Sequence, residues 1–499
     1  MKARGSEQHR PRFHFSPGRM WMNDPNGLVY FDGKYHLFYQ YHPHDTEWGP
    51  MHWGHAVSAD LVHWQFFPIA LYPDELGYIF SGSAVVDWNN TSGFGNRISP
   101  PMIAIFTYHN PEADKAGRNN FQTQGIAYSI DKGRSWRKYE KNPVLSNPGI
   151  RDFRDPRVIW YKHGNKWIMA LAAHNHVQFY SSPNLKHWNF ESDFGKGIGA
   201  HDGVWECPDL FPMIVDGQQK WVLLVSINSG GPNGGSGTQY FVGEFDGKTF
   251  VNDNSPETIL WVDWGKDFYA GFTWSDIPEK DGRRILLAWM GNWQYAQKVP
   301  TQAWRGAMTI PRKLELKKTG KGIRLFSEAV AEMKFWHNEK LELETGTVSG
   351  KRKITTLTQS SVITGELKLV FQMSKAKQFG LAQEFGVILT NNLGEDVLIG
   401  YELPGKRFFI DRQHSGKIDF SDQFSGRHYA PRVLESEIIN MQLFIDVASV
   451  ELFADEGQTV MTEIFFPNED FNRISIYTKN GSIKVIKGSF ISFKSDTSA

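Results

Sequence analysis

The sequence predicts an all-β protein in which a five-bladed β-propeller is followed by a C-terminal β-sandwich. Three observations support this fold class. Short apolar or aromatic runs broken by Gly, Pro, Asn and Asp fill residues 12–325, with no long segment of helical period between them. A turn followed by an aromatic residue recurs within this region at the spacing of propeller blades. Beyond residue 340, alternating strands rich in Lys, Glu and Thr indicate a two-sheet sandwich.

The recurring turn defines the blades. It follows a strand in four places, which are SADLVHW (58–64), SIDKGRSW (129–136), SSPNLKHW (181–188) and GEFDGKTF (243–250). Successive repeats start roughly 50 to 70 residues apart, which is the length of a blade of four strands. About five such blades fit into the first 325 residues. We interpret the aromatic residue of each repeat as a wedge that seals one blade against the next.

A linker and a second domain complete the predicted organisation. LFSEAVAEMKFWHNEK, near residues 325–340, has an amphipathic helical period, and Ser327 is placed to cap its N-terminus. The predicted domains are a catalytic propeller over 1–325, a linker helix over 326–340 and a sandwich over 341–499. Because the sandwich contains no acid in a distinctive local setting, we expect it to pack against the propeller and to offer the surface for a homo-oligomer contact.

Composition and charge restrict the classes of function. Lys plus Arg total 54 and Asp plus Glu total 54, so no net charge attracts nucleic acid or an anionic membrane. Aromatic residues make up 14% of the chain, a content that suits layered strands and also stacking against sugar rings. Cys207 is the single cysteine, which excludes an intramolecular disulfide and a cysteine-rich zinc site. A neutral saccharide fits this composition best, and we expect neither a nucleic-acid nor a membrane partner.

Cofactor and targeting signals are weak. His42 and His44, like two similar pairs, have a spacing that a metal could use, but no H-E-x-x-H helix occurs. The loop GGPNGGSG (230–237) lacks the Lys and Ser/Thr of a phosphate-binding loop. We therefore expect neither a metal ion nor an organic cofactor. The N-terminal stretch MKARGSEQHR has no apolar signal region, so the sequence as written predicts a cytoplasmic protein. If an export signal had already been removed from this sequence, the protein would be extracellular.

Three acids lie in distinctive local settings. The first is Asp24 in WMNDPNG, whose Asn, Asp, Pro and Gly predict a tight turn when they are taken alone. The others are Asp155 in FRDPRVIW and Glu206 in WECPDLF, each next to an aromatic residue, a Pro or both. In a propeller, acids so far apart in sequence come from different blades and meet at the central axis. Glycoside cleavage needs such a group, because one carboxyl group must be ionised while another holds a proton.

WMNDPNG, FRDP and WECPD, in this order and before a sandwich-like region, resemble glycoside hydrolase family 32, the family of invertases, inulinases, levanases and related β-fructofuranosidases. The similarity covers essentially the whole chain, because the late stretch SVELFADEGQTVMTEIFF also resembles the sandwich of that family. The resemblance implies that Asp24 is the nucleophile, Glu206 the general acid/base and Asp155 the transition-state stabiliser that binds fructose hydroxyls. It also implies that the following residues bind substrate: Asn23, Gln40, Trp48, Phe80, Ser81, Arg154, Tyr269 and Trp293.

The resemblance further implies a retaining, exo-acting hydrolase that releases fructose from terminal β-D-fructofuranosides, including levan, inulin, fructo-oligosaccharides and sucrose. FSGSAVVDWNNTSGFG (80–95) and EWGPMHWGHA (47–56) are most like bacterial levanases and exo-inulinases. An intracellular hydrolase of sucrose or sucrose-6-phosphate is the alternative. SIDKGRSW also matches the S-x-D-x-G-x-x-W box of sialidases, but those enzymes use a tyrosine nucleophile and an Arg cluster. A non-catalytic sugar-binding protein would be expected to have lost one of the three acids.

Overall fold

The computed structural model describes residues 7–96, 99–356, 362–373 and 380–494. The predicted domain ranges 1–325 and 341–499 therefore include residues that lie outside this description. Nearly all of the regular structure is β-strand, which confirms the all-β prediction. Within the described residues, the helical segments are the α-helix Pro111–Lys115 and the 3₁₀ helices Lys162–Gly164, Ala296–Lys298 and Ala331–Trp336.

The strands up to residue 329 form five sheets, which are the five predicted blades. The first blade contains β1 (Met20–Phe31), β2 (Lys34–His42), β3 (His52–Ser58) and β4 (Gln65–Leu71). The second contains β5 (Tyr78–Val86), β6 (Met102–His109), β7 (Gln122–Ser129) and β8 (Arg137–Lys138). The third contains β9 (Phe153–Tyr161), β10 (Lys166–Ala173), β11 (His176–Ser182) and β12 (Asn189–Phe194). The fourth contains β13 (Trp205–Val215), β14 (Gln218–Ile227), β15 (Gly237–Phe245) and β16 (Phe250–Asn252).

The fifth blade also closes the ring. Its region contains β17 (Tyr269–Thr273), β18 (Arg284–Met290), β19 (Trp304–Arg305), β20 (Ala307–Met308), β21 (Arg312–Thr319) and β22 (Gly322–Ala329). β19 follows β18 in the chain but belongs to the first sheet, where it pairs in parallel with β1 and Trp304 lies opposite Met20. A late segment of the propeller is thereby hydrogen-bonded to its first strand, which leaves no open edge between the first and last blades.

The four turn-plus-aromatic repeats occupy equivalent positions, because each joins the third strand of a blade to the fourth. The ring of Trp136 packs edge-on against Phe38 of the preceding blade, with 5.4 Å between ring centroids. Phe250 packs in the same way against Phe194 of the preceding blade, at 4.8 Å. The predicted wedges are confirmed at these two positions.

The predicted linker helix over 326–340 is wrong. Ser327 lies in β22 opposite Leu314, so it does not cap a helix. Only Ala331–Trp336 are helical, and they form a 3₁₀ helix. The amide of Ser327 donates to the carbonyl oxygen of Gly457 in the second domain (3.0 Å), so extended backbone is hydrogen-bonded on both sides. This tertiary pairing overrides the helical preference of the local sequence.

The second domain is the predicted sandwich. Its strands are β23 (His337–Glu342), β24 (Gly346–Thr356), β25 (Gly365–Gln372), β26 (Glu384–Thr390), β27 (Asp396–Glu402), β28 (Arg407–His414), β29 (Arg427–Pro431), β30 (Ile438–Asp446), β31 (Ser449–Ala454), β32 (Thr459–Ile464) and β33 (Arg473–Phe493). One layer contains β26–β29 and the other contains β25 and β30–β32. Apolar side chains from both layers form one buried core.

The two layers share the long strand β33, whereas the sequence predicts two separate sheets. The first part of β33 pairs with β26, whereas the part after Gly481 pairs with β25. Asn480 and Gly481, at the change of layer, have positive φ of 53° and 141°. This conformation suits Gly and Asn, and it allows the strand to bend from one layer to the other.

A buried network of charged side chains joins the two domains. Glu451 of β31 accepts hydrogen bonds from His14 Nε2 (2.9 Å) and from the Ile310 amide (2.7 Å). The guanidinium of Arg312 pairs with Glu451 and also with Asp263, the latter at 2.8 Å. The charged side chains of this network are fully buried. Since a buried charge is tolerated only with a partner, the network fixes the sandwich on the propeller.

Replacing Glu451 by Ala is expected to lower the free energy of unfolding by about 3 kcal/mol, because it takes one carboxylate from Arg312 and His14 in a buried setting. The matched control is Glu342→Ala, which removes an exposed acid paired with Lys340 and should change stability by no more than about 0.5 kcal/mol. Urea unfolding at neutral pH measures both. Similar values for the two variants would show that the network does not hold the domains together.

Candidate active site

The innermost strand of each blade carries at least one predicted site residue near its N-terminal end, and one from each strand marks the position. These residues are Asp24 on β1, Ser81 on β5, Asp155 on β9, Glu206 on β13 and Tyr269 on β17. Innermost strands surround the axis of a propeller and run in the same direction, so their N-terminal ends meet at one mouth of the central channel. The fold therefore collects residues from five distant segments of the chain.

Each of these five strands has an irregularity of pairing at the site residue. The shifts of register lie between Met22 and Pro25, Ile79 and Gly82, Arg154 and Arg157, Glu206 and Asp209, and Tyr269 and Phe272. Asp155, Cys207 and Ala270 accordingly have positive φ values of 66°, 49° and 52°. A bulge redirects side chains that would otherwise alternate between the two faces of a strand. The bulges thus set the direction of the site residues.

The motif WMNDPNG is part of strand β1 and does not form the turn that its composition predicts. Pro25 lies opposite Tyr39 and Asn26 opposite Phe38 of β2, between the two shifts of register. Gly27 has a φ of +52°, and a Cβ atom there would lie 2.7 Å from the ring of Phe38. The turn prediction was wrong because pairing with the neighbouring strand decides the backbone, and the residues typical of turns here allow the strand to bend.

Asp24 is held by donors to both carboxylate oxygens. Ser81 Oγ donates to Oδ2 (2.7 Å), and Asn23 Nδ2 donates to Oδ1 (3.0 Å). Asn23 is itself oriented by the indole of Trp21, whose Nε1 donates to Asn23 Oδ1 (2.7 Å). Burial raises the pKa of Asp24, the hydrogen bonds from Ser81 and Asn23 lower it, and the charge of Glu206 raises it further. The donors thus favour the ionised form in a site that otherwise opposes it.

Cys207 links Asp155 to Asp24. Its amide donates to Asp155 Oδ2 (3.0 Å), and its Sγ lies 3.5 Å from that oxygen and 3.6 Å from Asp24 Oδ2. Burial raises the pKa of Asp155 to about 7, with the charges of Glu206 and Asp24 adding to the rise and Arg154 opposing it. Near neutral pH, Asp155 is therefore able both to accept and to donate a hydrogen bond.

Glu206 lies between a cation and a phenol. Arg154 donates to Oε1 from Nε (3.1 Å) and Nη2 (2.7 Å), while the Tyr269 hydroxyl donates to Oε2. Arg154 is fixed in turn by Asp152, whose Oδ1 accepts from Nη1 (2.6 Å). Burial and the charge of Glu206 raise the pKa of Tyr269 well above its usual range, so the phenol stays a neutral donor. Both oxygens of Glu206 are therefore positioned by side chains from other blades.

A pocket of about 400 Å³ opens above these acids. Ten of the eleven predicted site residues line it, and the eleventh, Tyr269, contacts Glu206. Trp48 lies 37% exposed and packs edge-on against Phe80 (5.9 Å), whereas Trp293 stacks on Trp21 (6.0 Å). Aromatic walls above a polar floor suit a sugar, which has both apolar faces and hydroxyl groups.

Several residues of the pocket were not predicted from the sequence. They are His109, Asp114, Phe121, Gln122, Arg151, Asp152, Asn228 and Gln297. Arg151 and Asp152 directly precede the FRDP motif, and the alternation of charges in RDFRDP was a signal that could have identified them. His109 stacks on Phe80 with 4.3 Å between ring centroids, but no local pattern distinguishes it from the other histidines. Residues of this kind become visible only when the blades are assembled.

Within the described residues, no group of three or more His, Cys, Asp or Glu side chains is arranged so that it could hold a metal ion. In the same part of the chain, no helix is long and apolar enough to cross a membrane. The expected absence of a metal ion and of an organic cofactor stays a prediction.

The fold is similar to that of solved structures over nearly the whole chain. The exo-inulinase from Aspergillus awamori superposes with a TM-score of 0.89 at 36% identity, over 98% of this chain and 99% of that one. The β-fructofuranosidase from Schwanniomyces occidentalis complexed with fructosyl-erythritol superposes with a TM-score of 0.88 at 33% identity, over 99% of both chains.

Sequence comparisons agree with the structural ones. A levanase of Bacillus subtilis (strain 168) is 48% identical over 491 residues, covering 96% of this chain and 69% of that protein. An extracellular exo-inulinase of Aspergillus awamori is 38% identical over 511 residues, covering 96% and 94%. The model of the glycosyl hydrolases family 32 N-terminal domain matches residues 14–327, and that of the family 32 C terminal matches residues 321–492. The chain is therefore a glycosidase and belongs to glycoside hydrolase family 32.

Proposed function

We propose that this enzyme hydrolyses terminal β-D-fructofuranosides and releases one free fructose at a time. The observation that carries the proposal is the grouping of three acids in unlike settings at the floor of one pocket. Asp24 is held by neutral donors, Glu206 by a cation and a phenol, and Asp155 by a backbone amide. The relatives named levanase and exo-inulinase support fructans as the substrate class.

We assign the roles as follows. In the first step, an Asp24 oxygen attacks the anomeric carbon of the terminal fructosyl unit while the glycosidic C–O bond breaks and Glu206 gives its proton to the departing oxygen. In the second step, Glu206 takes a proton from water, the water oxygen attacks the same carbon, and the bond to Asp24 breaks. Two displacements at one carbon return the original β configuration.

The remaining groups support the transition state. Asp155 in its ionised form accepts hydrogen bonds from fructose hydroxyls and stabilises the positive charge that develops on the sugar ring. We assign the positioning of the substrate to the residues that surround these acids, which are Asn23, Gln40, Trp48, Phe80, Ser81, Arg154, Tyr269 and Trp293. The polar members hold hydroxyl groups and the aromatic members hold the apolar faces of the sugars.

An ion pair closes the channel below the pocket, which favours exo action. Arg157 Nε lies 2.7 Å from Asp209 Oδ1, and both side chains are buried. The amide of Thr273 donates to the other oxygen of Asp209 (2.6 Å). A polymer cannot thread through the channel past this pair, so the pocket is closed at its base, which favours the end of a chain over an internal segment.

The test compares sucrose, inulin and levan as substrates of the pure enzyme, with early products separated by chromatography. We expect fructose as the first product from each polymer, whether the linkage is β-2,1 or β-2,6. Early oligosaccharides of several units would show internal cleavage and overturn the exo assignment. Proton NMR of the first-formed fructose should detect the β-anomer, and an initial α-anomer would show a single displacement by water.

The pH dependence tests the role of Asp24. Its attack requires the ionised form, so activity is lost as the pH falls through the pKa of the coupled carboxyl groups. Ser81→Ala removes a donor to the carboxylate, which raises that pKa, and should move the acidic limb of kcat/KM to higher pH by about one unit. Ser83→Ala is the matched control, because this serine of the same strand donates to the Pro156 carbonyl instead. A Ser81→Ala limb that stays in place would contradict the role of Asp24.

We also propose that the enzyme meets its polymeric substrate outside the cell, since fructans are too large to cross a membrane unaided. The relative from Aspergillus awamori is named extracellular. The balance of charges supports the view that neither nucleic acid nor a membrane is a partner. We place any homo-oligomer contact on the sandwich, and sedimentation of the pure protein would reveal it.

A further inference from the structure

The innermost strands open into a second cavity at their C-terminal ends. This rear vestibule has a volume of about 700 Å³, and the residues that form its walls include Tyr30, Phe31, Trp88, Trp160, Asp276 and Arg284. Tyr30 lies six residues beyond Asp24 on β1, and Trp160 lies five residues beyond Asp155 on β9. At about 3.3 Å per residue, the vestibule is about 15–20 Å from the acids. The ion pair of Arg157 and Asp209 separates the two cavities.

Tryptophan exposure distinguishes the two ends of the channel from the rest of the protein. All 18 tryptophans lie in the described residues, and only Trp48 and Trp88 have exposed side chains, at 37% and 60%. Trp48 lines the catalytic pocket, and Trp88 lines the rear vestibule. An exposed indole that lines a cavity offers an apolar face on which a sugar ring can stack.

The indole of Trp88 is fixed although it is exposed. Its Nε1 donates to Asp276 Oδ1 (2.8 Å), and its ring packs edge-on against Phe31 at 5.6 Å. The other oxygen of Asp276 accepts from the Val86 amide (3.0 Å), which fixes the carboxylate in turn. A ring that is already oriented loses little conformational entropy when a ligand stacks on it.

The charges of the vestibule favour a neutral ligand. Three cationic and three anionic side chains line it, which are Arg157, Lys162 and Arg284, and Asp32, Asp276 and Glu279. Arg284, which also lines the vestibule, donates from Nη1 to the Trp274 carbonyl oxygen (3.2 Å). An aromatic platform beside fixed donors and acceptors, with no net charge, matches the apolar face and the hydroxyl groups of a sugar.

We propose that the rear vestibule is a second saccharide-binding site, which holds an internal segment of the fructan whose ends are cleaved in the catalytic pocket. This inference rests on the proposed function for the identity of the sugar. A fructofuranosyl ring stacks on Trp88 while its hydroxyl groups bond Arg284. Binding here keeps the enzyme on the polymer and leaves the cleavage of short substrates unchanged, because the ion pair closes the channel between the two sites.

The test is affinity gel electrophoresis in gels that contain levan, with Asp24→Asn as the non-hydrolysing background of every variant, so that binding in the catalytic pocket contributes equally to all of them. Adding Trp88→Ala should weaken binding to levan about tenfold, because it removes the platform. Trp88→Phe, which keeps an aromatic face, should retain most of the binding. Phe190→Ala is the matched control, since Phe190 is an equally exposed aromatic residue (53%) on the outer strand β12.

The same substitutions in the active enzyme separate binding from folding. Trp88→Ala should keep kcat/KM for sucrose, while kcat/KM for levan falls. Its melting temperature should fall by a few degrees, as should that of Trp88→Phe, because both variants lose the hydrogen bond to Asp276; a difference in levan binding between the two variants is therefore not explained by that lost bond. Unchanged binding of the Trp88→Ala variant to levan, an equal loss with Phe190→Ala, or retardation by dextran but not by levan would each overturn the inference. Failure of the wild-type enzyme to release fructose from any substrate would instead refute the proposed function, and the gels would still show whether Trp88 binds levan.

Discussion

Replacing Asp24 by Asn is expected to lower kcat by at least about 10⁴-fold for every substrate, whatever its leaving group. The amide has the size of the carboxylate and keeps an oxygen for Ser81, but it has no negative charge with which to attack the anomeric carbon. Because the step that is lost precedes the formation of any intermediate, a better leaving group cannot compensate. Initial rates with sucrose, levan and an aryl β-D-fructofuranoside measure the effect.

The matched control for this substitution is Asp216→Asn. Asp216 is an exposed acid beside Lys318 in the turn between β13 and β14, at the opposite end of β13 from Glu206, and its amide variant should keep full activity. Circular dichroism of Asp24→Asn should match the wild type. A loss confined to substrates with poor leaving groups would make Asp24 an acid catalyst instead of the nucleophile.

Much of the fold follows from the sequence because its signals are local. Strand and turn signals depend on residues that are close together in the sequence, so the blades, the sandwich and the turn repeats could be predicted. The linker helix could not. Ser327 and its neighbours have a helical pattern, but their backbone is paired with β21 and with Gly457, which lies 130 residues further along the chain. Pairing of this range leaves no mark in the local sequence.

In the site, too, features that depend on neighbouring residues could be predicted, and features that depend on contacts between distant segments could not. The acids and their motifs could be identified because each has an unusual neighbourhood, such as Asp24 next to Pro25. The bulges that direct them could not, since a shift of register depends on the partner strand. His109 ends β6 of the second blade and Asn228 follows β14 of the fourth, and they line the same pocket only because the blades assemble around one axis. Cys207, between the carboxylates of Asp24 and Asp155, illustrates the limit: its place in WECPD is visible, but its contacts are not.

The second large effect concerns Glu206, which acts on the leaving group and on water but forms no bond to the sugar. Replacing Glu206 by Gln keeps one side-chain oxygen, which can still accept a hydrogen bond from Arg154 or from Tyr269. It removes the proton that the departing oxygen needs. We expect kcat/KM for sucrose and levan to fall by about 10² to 10⁴-fold. For an aryl β-D-fructofuranoside the loss of kcat/KM should be small, because a phenolate departs without an acid.

The second step gives the decisive readout for the same variant. Without Glu206 as a base, water attacks the fructosyl bond to Asp24 slowly, so the covalent intermediate should accumulate with the aryl substrate and be detected by mass spectrometry of the protein. Azide needs no base, and it should restore turnover and give a fructosyl azide of retained β configuration. Tyr269→Phe is the comparison variant, because it removes a donor to Glu206 but leaves the proton in place, and azide should not accelerate it. Equal losses of kcat/KM for sucrose and for the aryl substrate would show that Glu206 positions the substrate and that the proton comes from another group.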